Sequence, residues 1–159
     1  MLSRTAGWSP RWPGAGRFAN WEHSYANILG LGAAVRQALD LGLEAIGQRA
    51  AALGTRLRRQ LAGLPGVTVH DLGRIRCAIV TAKADGLAAE LAAQALAHAG
   101  VNVSTTVPEH NPLDTQDRGV HPLIRFSPHY YNTEDEIDRA TELVAALARL
   151  QRQHSPRPN

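Results

Sequence analysis

The sequence predicts an α+β fold: a small, mostly antiparallel sheet with helices packed on it. Three observations carry that expectation. Apolar residues recur at helical spacing over the first third of the chain, switch to alternation at Val67, and change period again at every later Gly or Pro stop. Helical and extended segments follow one another as two helices, two strands, a helix, two strands and a helix, an order that fits helices layered on one sheet. At 159 residues, 44% hydrophobic and 19% charged, the chain suits one globular domain with a single core.

Residues 1–16 hold Trp8, Trp12, Pro10, Pro13 and several glycines without periodicity, and are expected to form an irregular arm that covers another surface. From about Trp21 to Leu41, Ile28, Leu31, Val35, Ala38 and Leu39 share a helical face, and Gly42 can end the run. A second helix carries Ile46, Leu53, Leu57 and Leu61 and stops at Leu64-Pro65-Gly66. Val67 to His70 alternates as a strand, and Ile75 to Thr81 reads as a second, more apolar one. Gly86 to Ala99 is an alanine-rich helix with Leu87, Leu91 and Leu96 inward, and Gly100 suits the left-handed position after its end. Val101 to Ser104 and Leu123 to Ser127 are the last two strands. Thr133-Glu134-Asp135-Glu136 is a capping box, and Ile137, Thr141, Val144, Leu147 and Leu150 form the stripe of the helix it starts. The tail, 151–159, is expected to fray.

Charge and cysteine usage exclude several functions. The net charge of +3 comes from 16 arginines and one lysine against 14 acidic residues, spread from Arg4 to Arg157 rather than gathered in a stripe, so no nucleic-acid partner is expected. Arg56-Leu57-Arg58-Arg59 reads as the solvated face of an amphipathic helix. No apolar run suits a membrane span and the N-terminus has no signal-peptide core, which makes a cytoplasmic location the expectation. The single Cys77 rules out an internal disulfide and reads as a small buried hydrophobe. Lys83 is the only side chain able to form an imine, but its context reads as strand end and turn, favouring an exposed loop lysine.

Few motifs survive scrutiny. Gly30-Leu31-Gly32 lies inside a helical pattern and lacks the spacing of a phosphate loop. The seven histidines show no zinc-ligand spacing, so no metal is expected. Ser104 and Ser127, with His129 nearby, lack a nucleophile elbow, and no catalytic residue is assigned. Two features remain. The long polar loop from Thr105 to Gly119, with Thr105, Thr106, His110, Asp114 and Arg118, is either a cleft lid or a loop pinned locally by Asp114, Asp117 and Arg118. Arg125 sits inside an apolar strand. Alternation puts Leu123, Arg125 and Ser127 on one face, where the guanidinium forms either a structural ion pair, the reading the residues alone favour, or a two-pronged carboxylate site.

The segments Arg17-Phe18-Ala19-Asn20-Trp21-Glu22, Gly30-Leu31-Gly32, Leu64-Pro65-Gly66-Val67, Arg76-Cys77-Ala78-Ile79-Val80-Thr81, Gly100-Val101-Asn102-Val103-Ser104 and Tyr131-Asn132-Thr133-Glu134-Asp135-Glu136-Ile137-Asp138 resemble, in order and spacing over residues 17–150, the C-terminal small domain of class V aminotransferase-like enzymes. That group uses pyridoxal phosphate and includes cysteine desulfurases and selenocysteine lyases. The resemblance implies the small domain of a type I fold, a homodimer, an amino-acid substrate whose α-carboxylate is held by Arg125, and a cofactor carried mainly by a large domain outside these residues. It also implies that the Schiff-base lysine lies in that large domain, upstream of everything here; Lys83 matches no such position. Two departures stand out. The loop from Thr105 to Gly119 lacks the nucleophilic cysteine of desulfurases, which argues against a persulfide route. Trp21-Glu22 replaces a Gly-Thr pair whose threonine touches cofactor phosphate, and the Glu22 carboxylate would repel phosphate, leaving these two residues only near the cofactor. The expected protein is therefore a small-domain fragment, inactive alone. The rival is a stand-alone module that binds a carboxylate or an amino acid without catalysis.

Overall fold

The computed structural model describes residues 24–106 and 122–154. They fall into two compact units, residues 1–41 and 42–159. In the first, α1 (Tyr25–Leu41) is the only described element; it has no buried residue, and Ile28, Leu31, Val35 and Leu39 are all exposed. The irregular arm at 1–16, with Trp21 and Glu22, lies outside the described residues.

The second unit contains α2 (Leu43–Ala62), β1 (Val67–Val69), β2 (Val80–Ala84), α3 (Ala89–His98), β3 (Ser104–Thr106), β4 (Leu123–Phe126) and α4 (Glu134–His154). The element order is the expected one, and the sheet is antiparallel throughout, in the order β1-β2-β4-β3. All three helices supply one core. Leu53, Leu57 and Leu61 of α2, Ala92 and Leu96 of α3, and Ile137, Val144 and Ala148 of α4 pack with Val67, Val80, Ala82, Ala84, Ile124 and Phe126 of the strands. The opposite sheet face carries Thr81, Lys83 and Arg125.

Local chemistry sets the joints. Leu64-Pro65-Gly66-Val67 closes with a hydrogen bond from the Val67 amide to the Leu64 carbonyl, 3.2 Å, and Gly66 has φ +73°, as a type II turn requires after proline. After α3, the Gly100 amide donates to the Ala97 carbonyl and the Val101 amide to the Leu96 carbonyl, both 2.9 Å, with Gly100 at φ +80°. This is a Schellman end, as the glycine suggested. The capping box is also in place: the Glu136 amide donates to Thr133 Oγ1 at 3.2 Å and the Thr133 amide to Glu136 Oε2 at 2.9 Å.

Several expectations need correction. The segment 75–79 is not strand. Residues 71–79 bow away from the ladder, Ile75 is 97% exposed, and Cys77 is exposed rather than core. Lys83 is accordingly mid-strand, opposite Thr68, and not on a loop. β3 begins at Ser104 because Val101 and Val103 are used first, packing partly buried against the core. In α3 the inward positions are Ala89, Ala92 and Leu96, so Leu91 falls one position off the stripe and is exposed. α4 continues through residues 151–154 instead of fraying, held where Arg152 donates to the Pro65 carbonyl. Arg56 and Arg58 are not a solvated face either: Arg56 pairs with Asp138 and Arg58 is buried.

The α2–α4 contact is tied by forked ion pairs. Arg49 grips both carboxylate oxygens of Glu134, and Arg56 donates to Asp138 at 2.8 and 2.6 Å, with Gln60 adding a bond of 2.6 Å to the same carboxylate. The bond from Arg49 holds the Glu134 carboxyl at about 2, against an ordinary 4.5, and the bonds from Arg56 and then Gln60 hold Asp138 at about 2, against 3.8. Both values are depressed in the folded state. Their contribution is therefore complete above the ordinary carboxylate range and is lost as pH falls from about 4.5 through about 2. Urea titrations across that window should show the wild-type chain losing more stability than an Asp138→Asn variant, whose site has no proton to take up.

Candidate functional site

The candidate site is the sheet face opposite the core that α2, α3 and α4 cover. β4 buries Ile124 and Phe126 in the core and leaves Arg125 exposed, the alternation the sequence implied; Leu123 is buried too, outside the core cluster. The register then gives Arg125 two neighbours that sequence reasoning missed. Thr81 of β2 and Ser104 of β3 are its direct cross-strand partners, so the Arg125 side chain starts between two hydroxyl-bearing residues on one face. Only long-range pairing could have placed them there. Ser127 follows on the same strand line and is exposed.

Thr81 is fixed from beneath. Asp71 Oδ1 accepts hydrogen bonds from the Thr81 amide and hydroxyl, both 2.8 Å, while Asp71 Oδ2 accepts from Arg58 Nε at 2.6 Å. Arg58 also donates from Nη2 to the carbonyls of Cys77 and Ile79. Both side chains are about nine-tenths buried, at 10% and 9% exposure. A carboxylate thus stands in for a ladder partner at the first residues of β2, and an arginine from α2 neutralises it. α2 can approach this segment because position 54 is glycine: a methyl group there would meet the Ala78 Cα at 2.9 Å and its carbonyl oxygen at 3.1 Å. The signal was present in the sequence, since Gly54 and Arg58 are one helical step apart on the side that carries Leu57 and Leu61.

Among the described residues no carboxylate pairs with Arg125, whereas Arg49, Arg56 and Arg58 each have one. An exposed fork between hydroxyls is suited to a planar anion such as a carboxylate, which takes two parallel N–H bonds. Of the expected loop residues, Thr105 and Thr106 belong to β3, where Thr106 Oγ1 accepts from the Leu123 amide at 3.2 Å. His110, Asp114 and Arg118 lie outside the described residues. Downstream of β4, His129, Tyr130 and Tyr131 form a ring cluster with centroids 4.6 to 5.5 Å apart. A hollow near the start of α4, which Ser127 also lines, is a poorer site. Of its polar groups, Glu136 is committed to the capping box and Arg139 to the Ala99 carbonyl.

A family profile described as aminotransferase class V matches residues 21–140. The chain belongs to the class V aminotransferase family. Within that family, it is 28% identical over 139 residues to a cysteine desulfurase of Synechococcus elongatus, a match covering 87% of this chain and 22% of that protein. Its fold is similar to that of an apo cysteine desulfurase from Thermococcus onnurineus NA1, with TM-score 0.77, 20% identity and coverage of 85% of this chain and 34% of the other. It is also similar to the Escherichia coli cysteine desulfurase CsdA, with TM-score 0.71, 23% identity and coverage of 81% and 32%. The class V chain described here therefore spans 22% of the length of its curated relative and about a third of those solved structures. No helix among the described residues is long and apolar enough to cross a membrane.

Proposed function

We propose that this chain supplies the substrate-orienting small domain of a pyridoxal-phosphate-dependent class V enzyme acting on an amino acid. Arg125 takes the α-carboxylate, and the segment that follows β3, through residue 119, closes the cleft against water. One observation carries the reading: Arg125 is exposed, with Thr81 and Ser104 as its cross-strand partners on the sheet face opposite the core, and has no carboxylate partner among the described residues. Holding the carboxylate fixes the rest of the substrate relative to the reacting bond, and a closed loop keeps water from competing with the chemistry.

The described residues do not fit pyridoxal phosphate as a resident group. Lys83 is the sole lysine, and it sits half-buried in mid-ladder opposite Thr68, where the surrounding amides are engaged in the sheet rather than free to cradle a phosphate. On this proposal the cofactor and its lysine belong to a large domain of a dimeric, cytoplasmic enzyme. When bound there, the cofactor would act as the electron sink for bond cleavage at the substrate's α-carbon.

Mixing the 159-residue chain with pyridoxal phosphate and an amino acid is expected to give no protein-dependent aldimine absorbance and no product. Turnover of any amino acid by the chain alone would overturn the proposal. Calorimetric titration with amino acids separates it from a stand-alone carboxylate-binding module, for which micromolar binding by the isolated chain is the signature.

A further inference from the structure

On the loop that bows out between β1 and β2 lies a feature the amino-acid site does not use. An open cleft of about 510 Å³ is lined by Thr55, Arg58 and Arg59 of α2 and by Arg74 and Arg76 of the loop. Arg58, in its floor, is neutralised by Asp71. The other three are not: among the described residues neither Arg59 nor Arg74 has an ion-pair partner, and Arg76 donates only to the Gly73 carbonyl at 2.9 Å. Three exposed guanidinium groups thus converge on one concavity while Arg49, Arg56 and Arg58 all have carboxylates. On the same loop, close in sequence to Arg74 and Arg76 though outside the cleft lining, Leu72 is 67% and Ile75 97% exposed.

We propose that this cleft is a docking site for a protein segment that presents clustered carboxylates next to an apolar side chain. Arginines in a concavity match carboxylates two prongs at a time. Leu72 and Ile75, exposed on the same loop at the margin of the cleft, supply apolar contact of the kind that excludes water around such pairs at protein interfaces. A nucleic acid fits less well. The lining has no aromatic ring on which a base could stack, and three cations make a short phosphate track. The two ends of the loop are tied down, by Asp71 on Thr81 and by Arg58 on the carbonyls of Cys77 and Ile79. The inference is independent of the function proposed for Arg125, which lies on β4.

The test is fluorescence anisotropy of the full 159-residue chain with a labelled peptide alternating glutamate and leucine, alongside versions in which glutamine replaces glutamate or serine replaces leucine, and a thymidine oligonucleotide as competitor. The glutamate-leucine peptide should bind, either replacement should weaken it, and added salt should weaken the parent peptide more than the glutamine version. Arg59→Glu combined with Arg74→Glu should weaken the parent peptide by on the order of tenfold or more, with an unchanged thermal melt; should that double variant not fold, Arg74→Gln alone replaces it. Equal binding of the glutamine peptide, unchanged binding by the folded arginine variants, or displacement of the peptide by an equal or lower concentration of oligonucleotide would overturn the proposal.

Discussion

Replacing Arg58 by methionine is expected to cost about 3–5 kcal/mol of stability, because the change leaves the Asp71 carboxylate buried without its counter-charge. It also removes the donor to the Cys77 and Ile79 carbonyls, which lie on the approach to β2. Against a typical domain stability of about 5–15 kcal/mol, that loss brings the chain close to unfolding. The effect belongs to the unmatched charge rather than to lost helix packing, since methionine is a good helix former and fills much of the same volume. Adding Asp71→Asn to Arg58→Met should therefore recover part of the loss: the amide oxygen of asparagine can still accept from the Thr81 amide, and the buried charge is gone. Urea denaturation of the wild type, both single variants and the double variant checks this. An Arg58→Met penalty below about 1 kcal/mol would show the pair to be screened by solvent.

The same network marks where the sequence is a good guide to the fold and where it is not. The leucines of α2, the capping box at Thr133 and Glu136, and the glycine ends at Gly66 and Gly100 are local signals, and each forms what its chemistry implies. The β1–β2 connection is different. Ile75, Cys77 and Ile79 alternate as a buried strand would, yet the ladder starts only at Val80, where pairing with Phe126 begins. A carboxylate ten residues upstream of Thr81 takes the place of a ladder contact, and no local pattern announces a partner at that separation. Two side chains that are not among the expected site residues change place with that connection: Lys83 lies in a strand rather than a loop, and Cys77 at the surface rather than in the core. For Arg125 the alternation of β4 was enough to find its face. Its hydroxyl neighbours, Thr81 and Ser104, depend on the register of two other strands and became visible only when those strands were paired.

Arg125→Ala carries the second large expected effect, on substrate recognition rather than on stability. The side chain is exposed and no ion pair of the described fold depends on it, so the variant should fold with wild-type stability to within about 0.5 kcal/mol. Losing a charge-assisted carboxylate contact where water is excluded costs about 2–5 kcal/mol, which corresponds to a fall of roughly 30-fold to several thousand-fold in kcat/KM. Lysine at this position should restore only part of the loss, because a point charge cannot reproduce the two-pronged geometry.

A general fall in activity would not separate recognition of the carboxylate from a misplaced strand. The ratio of kcat/KM for an amino acid to that for the amine lacking its carboxylate does. If the proposed enzyme pairs this chain with a lysine-bearing large domain, the wild type of that enzyme should favour the amino acid strongly. Arg125→Ala should collapse that ratio toward one by lowering only the amino-acid value. An unchanged ratio in the Arg125→Ala enzyme, with both substrates slowed equally or neither slowed, would contradict the assignment of Arg125 to the α-carboxylate.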